Sequence, residues 1–236
     1  MTTPKRLATI AGLLYLGVAV FALFAQYGVR ARVYVPGDPS ATAGNVVANA
    51  GLVRVGVVAD LFQATFLVFL AMALYLLLRH VNTDAARAMV VLVAIATTIT
   101  CLNIVFQFGA LLVATDGSYT TALGSEGANA LVQLLLDIHH YGYLIAQIFF
   151  GLWLVPLGYL AYRSRTFPRT LGVLLVIGGV CYVADTLALF LVPDFGAKIV
   201  AFDRLPSTIA EVWMLGYLLV KGLKSPGRTD HATVAA

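Results

Sequence analysis

Residues 52–78 read LVRVGVVADLFQATFLVFLAMALYLLL, and this stretch decides the fold. Only Arg54 and Asp60 in it are charged, and its polar and apolar residues do not alternate. A helix that crosses the hydrocarbon core of a bilayer needs about 20 apolar residues. Dense Leu, Val, Ala and Phe without a two-residue period favour a helix over a strand of a membrane barrel. The stretch is therefore predicted to be a transmembrane helix.

Five further segments repeat this pattern, and together they predict an all-α, polytopic membrane helix bundle. Composition agrees, since 61% of the 236 residues are apolar and 11% are charged, against about 25% charged residues in soluble domains. No linker divides the chain, so residues 1–236 are predicted to form one integral membrane domain. Pro156 is expected to kink the fourth span. The six predicted spans cover residues 7–27, 52–78, 86–114, 128–162, 171–192 and 205–220.

Basic residues at the helix ends predict the orientation. Because cytoplasmic loops are enriched in Lys and Arg, both termini are expected in the cytoplasm and the chain in the cell membrane. These residues do not share one face, so the lipid bilayer is the expected partner and nucleic acid is not. Five basic residues fall on the outer side, and the ten on the side of the termini are Lys5, Arg6, Arg79, Arg87, Arg163, Arg165, Arg169, Lys221, Lys224 and Arg228.

The first outer loop is predicted to contain a short helix. Val35-Pro36-Gly37-Asp38 is a β-turn sequence, in which Pro presets φ and Gly takes the positive φ of a type II turn. Asp38 before Pro39 is typical of an N-cap followed by proline at the first helical position. A helix through about Asn49 would lie on the outer membrane face as an amphipathic or surface helix.

Polar residues within the predicted spans concentrate in the outer half of the bundle. A charged side chain at mid-membrane costs at least about 2.5–3.5 kcal/mol, so such residues normally face the bundle interior. Polar groups at one depth on five helices predict a common cavity that opens outward. The candidate ligand-binding residues chosen on this ground are Asp60, Asn103, Gln107, Asp137, His140, Asp185 and Glu211.

Each of these residues also has a purely structural interpretation. The amides of the third span could serve only as hydrogen bonds between helices. Glu211 follows Thr208 by three residues and could close a capping box at the start of the sixth helix. The carboxylates could form ion pairs with basic residues of the outer side: Asp60 with Arg30 or Arg54, and Asp185 with Lys198 or Arg204.

Asp137 and His140 suggest a divalent metal as a possible cofactor. Their three-residue spacing puts a carboxylate and an imidazole on one helix face. Asp185, Asp60 or Glu211 could complete the ligand shell. A catalytic zinc takes about three protein ligands and a water. The chain has four histidines, and His80 and His231 fall on the inner side, which excludes a three-histidine site. A metal-dependent intramembrane hydrolase acting on a lipid therefore stays an alternative without positive evidence for an enzyme.

The favoured hypothesis is a cavity that binds a small polar or cationic ligand, or a lipid headgroup. The protein would then have a sensor, accessory or transport role. Six short-looped spans make a small transporter, so a homodimer is a possible assembly. A bundle with structural ion pairs and no ligand is the third hypothesis.

Four stretches resemble a widespread bacterial membrane family of unknown function, DUF4386. They are Val35–Asp38, Asp137–Tyr143, Phe150–Leu160 and Pro168–Leu174, and the resemblance extends from about Arg6 to Lys221. It implies a bacterial inner-membrane protein and no particular activity.

The resemblance adds one candidate residue. Members have Asp-Leu-His-Ser-Tyr-Gly-Tyr at the fourth span, where this chain has Ile138 and His140 in place of Leu and Ser. The family histidine therefore corresponds to His139, whereas the helix-face argument selects His140. Both stay candidates for ligand binding and, with Asp137 and Asp185, for a metal.

Overall fold

The chain folds into a bundle that is helical throughout the part described. The computed structural model describes the backbone of residues 4–223 and the side chains of residues 4–192 and 205–220. It contains no strand within those ranges, which confirms the all-α prediction. The helices are α1 Pro4–Leu23, a π-helix Phe24–Arg30, α2 Ala31–Val33, α3 Pro39–Ala48, α4 Ala50–Leu78, α5 Thr83–Thr115, α6 Gly117–Leu152, α7 Leu154–Arg163, α8 Arg169–Leu191 and α9 Pro193–Leu223.

Five helical stretches are long and apolar enough to cross a membrane, and they match the first five predicted spans. They are Pro4–Val33, Ala50–Leu78, Thr83–Thr115, Gly117–Arg163 and Arg169–Leu191. The apolar part of α9 within the described side chains, Leu205–Val220, is shorter. Together these helices indicate a membrane protein.

The helices form a ring in which each span packs against its neighbours. Helix α1 packs between α4 and α9, and the ring closes through α5, α6 with α7, and α8. One cluster of buried apolar side chains fills the end of the ring that bears the α4–α5 and α7–α8 connections, with Leu78 and Leu171 among its members. A second, smaller cluster lies at the other end around Val46 of α3. We call this second end the α3 end.

The first helix is longer than predicted. It was expected to end near Tyr27, but it continues to Val33 through the π-helix. A π-helix inserts an extra residue per turn and changes the direction in which the following side chains point. Arg30, predicted in the outer loop, is therefore the last residue of the π-helix and faces the bundle.

Helix α3 has the predicted local structure. Gly37 has a φ of 75°, and the Asp38 amide donates to the Val35 carbonyl across the turn at 3.2 Å. The Asp38 carboxylate accepts from the Ala41 amide, and Pro39 stands in the first turn. The Thr42 hydroxyl donates to the Val35 carbonyl, which fixes the turn on the helix. The short helix predicted between the first two spans is confirmed.

The fourth predicted span is interrupted near Pro156, as expected. Helix α6 ends at Leu152, and α7 begins at Leu154 with Pro156 in its first turn, where a missing amide hydrogen costs least. The prediction placed the start of this span at residue 128, whereas α6 begins at Gly117 and changes direction at Gly124, which has a φ of 73°.

The predicted start of the sixth helix, at residues 205–206, is wrong. Pro206 lies inside α9, which already begins at Pro193. Helices α8 and α9 are in close contact. A Cβ on Gly178 would lie 2.6 Å from the Ser207 Cα. Neighbouring helices allow a proline inside a membrane helix by satisfying the backbone groups that it frees.

Candidate functional site

An ion pair between the π-helix and α4 forms one wall of the site. The Arg30 Nη1 donates to both carboxylate oxygens of Asp60, at 2.9 and 3.1 Å. Their side chains are 16% and 3% exposed, so the pair is buried. The Arg30 Nε donates to the Gln26 Oε1 at 3.0 Å, and the guanidinium lies 5.6 Å from the centre of the Tyr143 ring. Of the two partners predicted for Asp60, the structure selects Arg30.

A second polar cluster joins the start of the α3 connection to α6. The Asp137 Oδ1 accepts from the Tyr34 hydroxyl at 2.5 Å and from the Gln133 Nε2 at 2.9 Å. The Tyr34 ring stacks on His140, with 6.0 Å between centroids. Burial and the hydrogen bond to the Asp137 carboxylate raise the pKa of Tyr34 above its ordinary value, so its hydroxyl keeps the proton that it donates.

The two histidines of α6 differ in exposure. His139 is 5% exposed, whereas His140 is exposed. The Asn103 Nδ2 of α5 donates to the His139 carbonyl at 2.6 Å. Any Cβ at Gly142 would overlap the Asn103 amide, so a glycine is needed where α5 and α6 cross.

A cavity of about 270 Å³ lies between these two clusters at the α3 end. The π-helix, α2, α3, α4, α5 and α6 all contribute residues to it. Its polar lining consists of Gln26, Arg30, Tyr34, Gln107, His139, His140 and Tyr143. Its apolar lining consists of Ala31, Val33, Pro36, Val46, Val53 and Leu136.

Gln107 lines the cavity and has a buried oxygen without a hydrogen bond to any described residue. Its side chain is 3% exposed, and its Oε1 has no hydrogen-bond partner among the residues that the structure describes. An unsatisfied buried acceptor costs about 1–3 kcal/mol. Within the described part of the chain, Gln107 therefore lines the cavity with a side chain whose buried oxygen stays without a hydrogen bond.

A family model for a domain of unknown function, DUF4386, matches residues 10–222. The chain belongs to this family. The resemblance seen in the sequence is therefore confirmed over nearly the whole bundle. No curated protein and no solved structure is significantly similar to this DUF4386 member.

Three of the predicted site residues line the cavity, and three others form hydrogen bonds with residues that line it. Gln107, His139 and His140 line it. Asp60, Asn103 and Asp137 bond to residues that line it or to their backbone. The family motif selects His139 and the helix-face argument selects His140, and both side chains line the same cavity.

The last two predicted residues lie elsewhere. Asp185 is fully buried in α8 and does not line the cavity. The side chains of Lys198 and Arg204, its expected partners, lie outside the described residues. Glu211 lies near the middle of α9, close enough to Tyr15 to interact with it electrostatically. The capping-box interpretation of Glu211 and its assignment to the outer end of a helix are wrong, because α9 begins long before Thr208.

The four residues suggested for a metal do not assemble into a site. Within the described part of this DUF4386 chain, no group of three or more His, Cys, Asp and Glu residues could hold a metal ion. Asp137 is bonded to Tyr34 and Gln133, and Asp185 does not reach the cavity.

Sequence reasoning missed four cavity residues: Gln26, Arg30, Tyr34 and Tyr143. Gln26 and Arg30 are four residues apart, a spacing that places side chains together on a helix. That signal was available but was set aside because Arg30 was assigned to a loop. Tyr34 had no signal of its own, since its contact with Asp137 joins residues 103 positions apart.

Proposed function

We propose that this chain is a bacterial cell-membrane protein that binds a small polar ligand in the cavity at the α3 end. The observation that supports this most is the cavity of about 270 Å³, whose lining combines apolar side chains with polar ones such as Gln107, His139 and Tyr143. Ligand pockets commonly combine apolar walls with a few oriented polar groups, in volumes of roughly 300–1,000 Å³. The volume of the cavity is slightly below that range.

The proposal includes six spans, with both termini in the cytoplasm and the cavity facing outward. Gly12, near the start of α1, packs against Leu219 near the end of α9. The Tyr217 hydroxyl donates to the Thr166 carbonyl in the α7–α8 connection. These contacts bring the start of α1 and the end of α9 to one side of the bundle, the side to which the sequence analysis assigns ten of the fifteen basic residues.

Binding fits the electrostatics of the cavity better than bond-breaking chemistry does. Arg30 and Asp60 bond to each other, and Asp137 accepts from Tyr34 and Gln133. These bonds hold the groups in fixed positions, as a binding site requires. A sensor, accessory or transport role would follow from what the bound ligand does to the bundle, and a homodimer is compatible with each.

The test is ligand-dependent stability of the purified protein in lipid nanodiscs. Ligands that bind the folded state raise the unfolding temperature by mass action. We expect at least one of 1-octanol, octanoate and octylamine to raise the midpoint of the wild type, whereas a rise with zinc alone would favour the metal-dependent alternative. We expect the same rise in Gln63→Leu, which alters a buried glutamine outside the cavity, and a smaller one in Gln107→Leu.

The outcomes separate the three hypotheses. Stoichiometric zinc in the purified protein would favour the hydrolase alternative. No stabilisation by any of the four probes would overturn the binding proposal and favour a bundle whose polar residues only fix the packing.

A further inference from the structure

We infer that the ligand is an uncharged, largely apolar molecule whose polar end is a carbonyl oxygen that accepts hydrogen bonds from Arg30 and Gln107. This inference rests on the proposed function and specifies the ligand class of the same cavity. It follows from the accessible donors, the charge and the walls of the cavity.

Arg30 brings two unused N–H groups to the cavity. Its Nη1 donates to the Asp60 carboxylate, and its Nε donates to the Gln26 Oε1. The remaining nitrogen, Nη2, has no hydrogen bond to any residue that the structure describes, and it is not fully buried. Because Arg30 lines the cavity, Nη2 can donate to a ligand there. A guanidinium stays protonated and has no acceptor, so it requires an acceptor from the ligand.

Gln107 adds a second donor from α5. Its Oε1 is buried without a partner among the described residues, whereas its Nε2, which also lacks one there, keeps accessible surface. The side chain lines the cavity, so an occupant can reach Nε2 and not Oε1. Gln26 accepts from Arg30 through Oε1, which leaves its Nε2 as a third donor. His139 can donate through one ring nitrogen and accept through the other. The lining therefore favours a group that accepts more than one hydrogen bond, as a carbonyl oxygen does with its two lone pairs.

The charge at the cavity favours an uncharged group over a carboxylate or an amine. Asp60 already compensates the guanidinium of Arg30, and neither Asp60 nor Asp137 is part of the lining. A bound anion would add a negative charge beside a neutral pair, and a bound cation would lie against the guanidinium. Because a buried charge needs a partner to replace its hydration, both are disfavoured. The carbonyl of an ester or a ketone meets the donors without adding a charge.

The walls select an apolar body. Val33, Val46, Val53 and Leu136 line the cavity, and Val46 is 1% exposed. Apolar ligand surface placed against these side chains leaves water, which favours binding. The volume of about 270 Å³ suits a short-chain molecule, or the carbonyl and first carbons of a longer one. The same chemistry therefore has two sources: a free ketone or ester from outside, or the acyl ester of an uncharged membrane lipid.

The experiment compares polar ends on one chain length. Binding of 2-octanone, 1-octanol, octanoate and octylamine to the wild type in nanodiscs is measured by calorimetry at pH 7.5, with empty nanodiscs subtracted. Gln107→Leu removes one donor together with a buried oxygen that has no partner among the described residues, so it should fold. Arg30→Lys keeps a positive charge for Asp60 but lacks the second arm of the guanidinium. Gln63→Leu, at a buried glutamine that does not line the cavity, is the matched control.

We expect 2-octanone and 1-octanol to bind about tenfold more tightly than either charged probe. Gln107→Leu and Arg30→Lys should each weaken the binding of 2-octanone about tenfold, as loss of one buried hydrogen bond does. Gln63→Leu should leave it unchanged. Tighter binding of octanoate or octylamine, or binding of 1-octanol without 2-octanone, would overturn this inference and leave the proposed function in place. Binding of none of the four would overturn both, as would 2-octanone binding that neither variant weakens.

A spectroscopic measurement detects the hydrogen bond itself. The stretching frequency of a carbonyl falls when its oxygen accepts a hydrogen bond. In infrared difference spectra, bound 2-octanone with an isotope-labelled carbonyl should absorb at a lower frequency in the wild type and Gln63→Leu than in Gln107→Leu. Equal frequencies in the three proteins would overturn the assignment of Gln107 as a donor to the ligand.

A further arm separates the two sources. Nanodiscs are prepared with dioleoylglycerol, an uncharged diester, or with its diether analogue, which has the same hydroxyl and chains but no carbonyl. The protein is then released for native mass spectrometry. Retention of the diester and not the diether by the wild type, with loss from Gln107→Leu, would support a lipid ester. Binding of 2-octanone without such retention would support a free ketone or ester.

Discussion

Arg30 and Asp60 form a buried ion pair, and we predict that removing either charge alone lowers the free energy of unfolding. In Arg30→Met, Asp60 is left as an uncompensated charge that is 3% exposed at its side chain. Breaking a buried pair in this way costs about 3–5 kcal/mol. The measurement is the free energy of unfolding in mixed detergent micelles. The control is Arg87→Met, which removes the exposed pair with Asp84 and should change nothing measurable.

The double variant Arg30→Met with Asp60→Leu extends this test. Replacing both charges by apolar groups removes the unpaired charge, so most of the lost stability should return. An Arg30→Met protein as stable as the wild type would contradict the prediction, because it would mean that Asp60 reaches water or becomes neutral by taking up a proton.

Tyr34 fastens the α3 connection to α6, and we predict that its hydroxyl stabilises the fold. Tyr34→Phe keeps the ring stacked on His140 and removes only the hydrogen bond to Asp137. A hydrogen bond to a charged group contributes about 1.5–3 kcal/mol. The expected loss of unfolding free energy is in that range. Tyr27→Phe, at a side chain that is 68% exposed, should leave stability unchanged. An equal loss in both variants would contradict a stabilising role of the Tyr34 hydroxyl.

At this scale the sequence identified the right residue types but could not choose their partners. Asp60 had two candidate partners, and the choice of Arg30 depends on the π-helix, which no pattern in residues 24–30 announces. His139 and His140 could not be separated because the helix face and the family position disagreed. Gln107 was selected from its depth alone. Its unsatisfied oxygen becomes visible only when the side chains of all the helices around it are in place.

Helices α6, α7 and α8 approach one another at paired glycines, and we predict that this contact tolerates no side chain. A Cβ on Gly158 would lie 2.5 Å from the Gly172 carbonyl oxygen, and one on Gly172 would lie 2.7 Å from the Gly158 carbonyl oxygen. Small residues at such positions let membrane helices pack backbone to backbone. Gly158→Ala should therefore destabilise by about 1–3 kcal/mol, the usual cost of overpacking.

The matched control for Gly158 is Gly216→Ala in α9. A Cβ there meets nothing within 4 Å, so alanine should be neutral or slightly stabilising through its higher helix propensity. Thermal unfolding in one detergent compares the two variants. If Gly158→Ala behaves like Gly216→Ala, the close approach of α7 and α8 is not required for stability.

Among the elements, the long apolar runs were predictable, whereas the ends of helices that continue into charged segments were not. The spans at α4, α5 and α8 were predicted within three residues at each end, because hydrophobicity alone defines them. Helix α3 was also predictable, since a turn, an N-cap and a proline each specify local geometry. The end of α1 and the start of α9 were misplaced. In both, charged residues continue a helix beyond its apolar part, and Pro206 was taken for a beginning although tertiary contacts allow it inside.

At the scale of the whole molecule, the open question is whether α9 crosses the membrane. Its apolar part, Leu205–Val220, would extend about 24 Å as a helix, which is less than the roughly 30 Å of a hydrocarbon core. The complete helix has 31 residues, or about 46 Å. Ser207 packs against Gly178 near the middle of α8, and Leu219 packs against Gly12 of α1, so α9 packs against two of the spans.

We therefore predict that α9 crosses and that both termini lie in the cytoplasm. Cys101 and Cys181 are replaced by alanine, and single cysteines are introduced for labelling by a membrane-impermeant maleimide in intact cells. Ser40→Cys and Ser118→Cys, at exposed positions of the α3 end, should react from outside. Thr83→Cys and Thr170→Cys, at the opposite end, should react only after lysis, and so should Ala236→Cys. Labelling of Ala236→Cys in intact cells, with the other four as expected, would show five crossings. The shared side of Gly12 and Leu219 argues against that result, because a chain with five crossings would separate those two helix ends by the thickness of the membrane.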